Sequence, residues 1–243
     1  LGKRNEPLDN LTHTTEFRKL NDAVSRFASH SEEMFEQQKQ FIGNASHELQ
    51  TPLAICQNRL EMLMEDETLG EQQMEEIVKT YHTLEYVSKL NKSLLLLSKI
   101  DNSQFSEVKE LCLNQVLHGY LEDYQEVYAY RDIDLSVQEE GKFCIKMNET
   151  LAVVLMTNLL KNAFVHNIDK GLIRIEITSS SIRFGNTGVD KPLDEKRIFE
   201  RFYQGSKKKE GSTGLGLAIV HAICRQCRMQ IRYQFIKGMH WLE

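Results

Sequence analysis

From residue 14 to about residue 64 the sequence is polar, almost free of glycine and proline, and repeats apolar residues at helical spacing. A stripe of that length constrains the fold more than any other feature, because one long amphipathic helix satisfies it. Only Gly43 and Pro52 interrupt it. Ile42, Ala45, Leu49, Leu53, Cys56, Leu60 and Leu63 form the expected buried stripe. After the charged break Glu65-Asp66-Glu67-Thr68-Leu69-Gly70, the residues Met74, Ile77, Tyr81, Leu84, Val87, Leu90, Leu94 and Leu97 again step by threes and fours. Two long helices joined by a short polar turn predict an antiparallel hairpin, and a hairpin alone cannot enclose a two-sided core. Pairing with a second copy into a four-helix bundle is the expected solution.

Beyond about residue 101 the texture changes to mixed α/β. Strand-like runs fall at 111–113, 133–137, 172–178, 181–184 and 229–235, and helical patterns at 114–128, 148–165 and 215–226. That order predicts an α/β sandwich with helices on one face of a mixed sheet. The expected fold class is therefore α+β multidomain: a dimeric antiparallel four-helix bundle, one helical hairpin per chain, followed by the sandwich. The 243 residues and 41% hydrophobic content support two compact units. Residues 186–213, with Pro192 and glycines at 188, 205 and 211, predict a mobile loop holding one short helical turn.

No apolar run approaches the ~18 residues needed to span a bilayer. The chain begins at Leu1 and is expected to be excised from something longer. A formal charge of -5 with scattered basic residues argues against nucleic acid as a partner. Five cysteines without a regular framework predict a reducing compartment rather than a disulfide scaffold. Cys224 and Cys227 form a C-x-x-C pair, but a tetrahedral zinc site needs four ligands, so two helix positions three apart is the preferred account.

Helical rotation puts His47 roughly 170° from the centre of the buried stripe, so its imidazole is expected at solvent. Pro52 has no amide for the carbonyl of Glu48 and is expected to bend or loosen the helix there. A neutral imidazole attacks phosphorus when another group accepts or polarises the proton on its second nitrogen, and Glu48 is adjacent to do so. A surface histidine beside a chance proline is the plain alternative. The run Ser46-His47-Glu48-Leu49-Gln50-Thr51-Pro52-Leu53 resembles the phosphoacceptor box S-H-E-L-R-T-P-L of bacterial sensor histidine kinases, with Gln50 in place of arginine. The resemblance implies that His47 is the phosphorylated residue. It further implies that Thr51 positions the water that removes phosphate from a response regulator.

Asn158, Asn162 and His166 step by four along a helix otherwise rich in leucine and valine. Asparagine is a poor helix former, so either a solvated face or a ligand accounts for the stripe, and amide oxygens suit Mg²⁺. Asn158-Leu159-Leu160-Lys161-Asn162-Ala163 resembles the asparagine box of the same kinases, with Asn162 at the metal-ligand position. Val165 stands where a basic residue that holds phosphate is common, and Arg201 or Lys207 would have to substitute. Gly211-Ser212-Thr213-Gly214-Leu215-Gly216-Leu217 places glycines at a helix start, where close backbone approach and free amides favour phosphate oxygens. Ile198-Phe199-Glu200-Arg201-Phe202-Tyr203 resembles the phenylalanine box of the family's lid, with a small packed turn as the plain alternative.

One box is altered. Asn186-Thr187-Gly188-Val189-Asp190 stands where the family usually has D-x-G-x-G, whose aspartate accepts from the adenine amine. An asparagine carbonyl still accepts, but without charge, so weaker ATP affinity is expected. Residues 15–27 resemble the second helix of a HAMP signal-transmitting domain.

The resemblance thus implies an ATP- and Mg²⁺-dependent protein-histidine kinase. It would be a homodimer and the cytoplasmic portion of a bacterial inner-membrane protein, with its membrane sensor upstream of this chain. Its partner would be the receiver domain of a response regulator. The expected division is 1–30 for the end of the HAMP-like helix, 31–103 for the dimerisation and phosphotransfer hairpin, and 104–243 for the ATP-binding domain. The alternative is a weakly nucleotide-binding dimeric scaffold acting mainly as a response-regulator phosphatase. An ATPase or chaperone that shares only the nucleotide fold leaves the histidine helix unexplained.

Overall fold

The structure, a computed structural model, describes residues 14–205 and 212–243, without the side chains of Phe35, Gln38, Lys39, Ile42 and His47. Helix α1 spans Thr15–Met64 and α2 spans Glu71–Asp101. The polar break between them is closed by its own side chains. Asp66 Oδ1 accepts from the Thr68 amide and hydroxyl at 2.9 and 2.6 Å, and Gln73 Oε1 accepts from the Gly70 amide at 3.0 Å. Helix α1 runs unbroken through Pro52, although that residue offers no amide to the turn before it.

The two helices pack antiparallel. Tyr81 Oη donates to Glu61 at 2.8 Å, buried Asn91 Nδ2 donates to the Ser46 carbonyl at 2.6 Å, and a Cβ at Gly43 would lie 3.6 Å from Ser98 Oγ. The face of α1 turned to α2 is therefore Gly43, Ser46, Gln50, Leu53, Gln57, Leu60 and Met64, each at least half-buried. This corrects the expected stripe: Leu49 and Leu63 are 52% and 44% exposed within a single chain, and Cys56 is exposed too. A bundle helix faces two neighbours, and apolar spacing alone sums both seams without saying which one the chain covers by itself.

The α/β half runs β1 (Lys109–Cys112), α3 (Leu113–Val127), β2 (Asp134–Glu139), β3 (Cys144–Met147), α4 (Glu149–Val165), β4 (Leu172–Ile177), β5 (Ile182–Thr187), α5 (Gly216–Gln226), β6 (Tyr233–Ile236) and β7 (Met239–Leu242). Strands β1 and β3 form a two-stranded ribbon; the others form one sheet in the order β2-β4-β5-β7-β6. Only β2 and β4 pair in parallel. Leu117, Leu160, Val220 and Ile223 on the helices enclose Ile173, Ile175 and Phe184 on the sheet, all with at most 1% exposure. Leu97 and Ile100, at the end of α2, belong to this same core, so the C-terminal end of α2, away from the 65–70 turn, is packed into the α/β half.

Two expectations are corrected here. Strands β3 and β7 are short and lay outside the anticipated runs, and β6 begins at Tyr233 rather than at residue 229. Cys112 and Cys144 are disulfide-paired across the β1–β3 ribbon, directly opposite in register, because residues 32 apart in sequence meet only once β3 exists. The expected short helical turn is present, closed by the Ile198 amide donating to the Asp194 carbonyl at 2.9 Å.

Candidate functional site

On α1, the backbone of His47 is helical and its side chain lies outside the described residues, so its expected exposure is not addressed. Its flanks divide sharply. Ser46 is 4% exposed, whereas Glu48, Thr51 and Pro52 are exposed. The Asn91 amide fixes the Ser46 carbonyl from the neighbouring helix, anchoring the turn that carries Glu48 and, one turn on, Thr51.

The second cluster is built around α4. Asn148 caps its start by accepting from the Leu151 amide at 3.3 Å. Asn158 Nδ2 donates to the Val154 carbonyl at 2.7 Å, and its Oδ1 lies 3.1 Å from where a Cβ at Gly216 would sit. Gly214 has φ +68°, and a Cβ there would be 2.8 Å from the Phe202 carbonyl carbon. These two glycines therefore let the turn at 212–216 lie flat between α4 and the 199–203 segment, and Gln204 Nε2 closes that seam by donating to the Ser212 carbonyl at 2.6 Å. Leu215, the N-cap of α5, has no oxygen to offer the first-turn amides, which leaves them for another acceptor such as a phosphate.

The remaining expected residues divide by place. Asn162 and Thr213 are half-buried, and His166 caps the end of α4 with its ring exposed. Leu215 is fully enclosed and Leu217 half-buried, so both hold the glycine turn from behind. Phe199 packs its ring 5.6 Å from that of His221, and Tyr203 lies under the Arg197 guanidinium at 5.4 Å. Gly211 and Lys207 lie outside the described residues. Arg201 is engaged at the end of α2: its Nη2 donates to Asp101 at 2.9 Å, and Arg225 Nη2 donates to the same carboxylate at 2.7 Å.

At the end of β5, Asn186 is 4% exposed and donates through Nδ2 to the Thr187 carbonyl at 2.7 Å. Thr187 Oγ1 donates to Asn167 Oδ1 at 2.5 Å and accepts from the Leu172 amide at 2.8 Å. A Cβ at Gly188 would lie 3.0 Å from both the His166 carbonyl and the His240 ring. The glycine thus makes room for protein groups as well as for any ligand. Asn167, His240, Tyr233 and Asp101 were missed in the sequence, since none belongs to a local motif. A divalent cation here would rely on amide and phosphate oxygens, because among the described residues no three His, Cys, Asp or Glu side chains are placed to hold one.

No helix among the described residues is long and apolar enough to cross a membrane. The His Kinase A (phospho-acceptor) domain family matches residues 37–103, and the histidine kinase-, DNA gyrase B-, and HSP90-like ATPase family matches residues 147–238. Sensor histidine kinase RppB of Synechocystis sp. is 34% identical over 203 residues, covering 78% of this chain and 44% of the relative. Heme sensor protein HssS of Staphylococcus saprophyticus is 29% identical over 228 residues, covering 88% of this chain and 48% of the relative. The chain therefore spans less than half the length of these relatives. Among solved structures, full-length ShkA in complex with AMPPNP has a TM-score of 0.66 at 20% identity, over 84% of this chain and 45% of that one. Acinetobacter baumannii histidine kinase AdeS has a TM-score of 0.55 at 20% identity, over 81% of this chain and 94% of that one. At such identity the likeness establishes the fold. A phospho-acceptor unit followed by an ATP-binding unit of this family, in one chain with homologous sensor kinases, places the protein among the bacterial two-component sensor histidine kinases.

Proposed function

We propose that this chain transfers the γ-phosphoryl group of ATP to His47 and passes it to an aspartate on the receiver domain of a response regulator. The observation that carries this reading is the contact of Gly216 with Asn158, which sets uncapped helix amides beside the asparagine stripe in a chain that also carries the histidine box. Asn162 would hold Mg²⁺, which when bound offsets phosphate charge. The His47 nitrogen forms a bond to the γ-phosphorus as the bond to the β–γ bridging oxygen breaks. ADP leaves with that electron pair, and Glu48 takes or polarises the ring proton. Catalysis rests on positioning and electrostatics, as is general for phosphoryl transfer. Leu49 and Leu63, uncovered in one chain, meet a second copy in a homodimer, and residues 15–27 continue toward a membrane-embedded sensor.

The test is label transfer from γ-³²P-ATP with Mg²⁺, comparing the protein with His47→Ala. An acid-labile, alkali-stable label that disappears in the variant supports the reading. An unlabelled protein that is folded and dimeric refutes it. The neutral amide buried at Asn186 favours a second reading, a response-regulator phosphatase working through Thr51, which Thr51→Ala would abolish without loss of label on His47.

A further inference from the structure

The altered adenine-side box raises a structural question: Asp190 replaces a glycine, so the chain from Val189 to Leu193 must be ordered by something other than glycine geometry. Two buried side chains on the β6–β7 hairpin do this. His240 Nε2 is 2.8 Å from the Val189 carbonyl, which can only accept, so Nε2 carries the proton. Its Nδ1 is then the acceptor, and Tyr233 Oη donates to it at 2.7 Å. The same phenol oxygen accepts from the Leu193 amide at 3.0 Å. One relay thus binds both ends of the segment 189–193, which leads from β5 into the lid. His240 is 8% and Tyr233 4% exposed, and His240 pairs directly with Asn186 across β5–β7. Phe235 packs its ring 4.9 Å from the imidazole, fixing its plane.

We propose that His240, held in one tautomer by Tyr233, is a positioning residue for nucleotide binding: it braces the turn at 188–193 so that Asn186 and Gly188 face the adenine side in a set geometry. The inference rests on the nucleotide site proposed above. The brace is made before nucleotide arrives, so its loss costs affinity rather than the chemical step. Gly188 is part of the same device, since any side chain there would displace the ring.

The experiment uses four variants of the whole chain: Tyr233→Phe, His240→Phe, His240→Gln and His240→Asn. Glutamine reaches the Nε2 position and can donate to Val189; asparagine reaches only the Nδ1 position. Tyr233→Phe and His240→Phe each remove two neutral hydrogen bonds from a pre-ordered loop and are expected to raise KM for ATP about tenfold, with kcat held within about twofold. His240→Gln should recover most of the affinity and His240→Asn should not. Amide hydrogen exchange at Leu193 should rise in Tyr233→Phe. This readout needs no kinase activity, so a wild-type protein that takes no label would overturn the proposed function while the brace is still tested. An unchanged KM in His240→Phe, equal effects of glutamine and asparagine, or unchanged Leu193 exchange in Tyr233→Phe would each overturn the proposal.

Discussion

Asp101 is the last residue of α2, where the helix dipole opposes a carboxylate. It is retained there against two guanidinium groups, Arg201 from the lid and Arg225 from α5, at 2.9 and 2.7 Å. Asp101 is only 14% exposed at its side chain, but the arginines are 50% and 64% exposed, so solvent screens both pairs. Exposed pairs contribute about 0.2–1 kcal/mol each, which gives the clasp roughly 0.5–2 kcal/mol. The isosteric change Asp101→Asn removes the charge and leaves the helix end better matched to its dipole. Free Arg201 becomes available to the phosphates that lack a basic residue at Val165. Release of Arg201 breaks only its own pair, so the population with Arg201 free should rise about 1.4- to fivefold, at ~1.4 kcal/mol per decade. Autophosphorylation measured under limiting ATP should accelerate within that range in the variant. Added KCl screens the clasp in the wild type alone and the attraction of Arg201 to phosphate in both, so the rate ratio of Asp101→Asn to wild type should shrink as KCl rises. A variant that melts like the wild type but labels at the same rate or more slowly would show that the clasp does not restrain the lid.

Gly185→Ala should lower the urea midpoint by about 1–3 kcal/mol of stability, since the new Cβ would lie 2.7–2.8 Å from the Trp241 ring. Leu160→Ala, at 0% exposure in the centre of the α/β core, should cost about 2–5 kcal/mol in the same assay. Hydrogen bonds from Asn114 and His118 hold the Glu139 carboxyl below its ordinary value of 4.5. Its stabilisation is therefore complete above that value and lost as pH falls through the lower folded value, so Glu139→Gln should flatten the acid limb of the stability curve. Burial, with a smaller push from Cys227, raises the Cys224 thiol to about 12. Iodoacetamide at pH 8 should therefore modify exposed Cys56 and spare Cys224, as read by peptide mass spectrometry.

The sequence shows its long-range order where chemistry is periodic or local. Helices α1 and α4 were legible because their apolar spacing persists over many turns; the histidine, asparagine and glycine boxes could be proposed because each is contiguous. Strands β3 and β7 were not legible, since four residues carry too little alternation to separate a strand from a loop. A signal for the last hairpin was present in Lys237-Gly238, both at positive φ in the turn that joins β6 to β7, and reading that dipeptide as a turn would have placed both strands. The Asp101 clasp joins residues 100 and 124 apart, and no local pattern encodes such a contact.

The departures from the family's boxes make sense together once the fold places their neighbours. Without a glycine at 190 the adenine-side turn loses conformational freedom, and Tyr233 and His240 hold that turn by its Val189 carbonyl and Leu193 amide. On the proposed adenine contact, a neutral residue at 186 would give up a charge-assisted bond, worth about twice a neutral one, so the geometry of the acceptor would matter more and the brace would have more to do. No basic residue stands at 165, so on the proposed function the phosphates would depend on the lid, yet the lid's Arg201 is bound to the end of α2 through Asp101. On the proposed function, nucleotide affinity would then be coupled to how the two halves are joined.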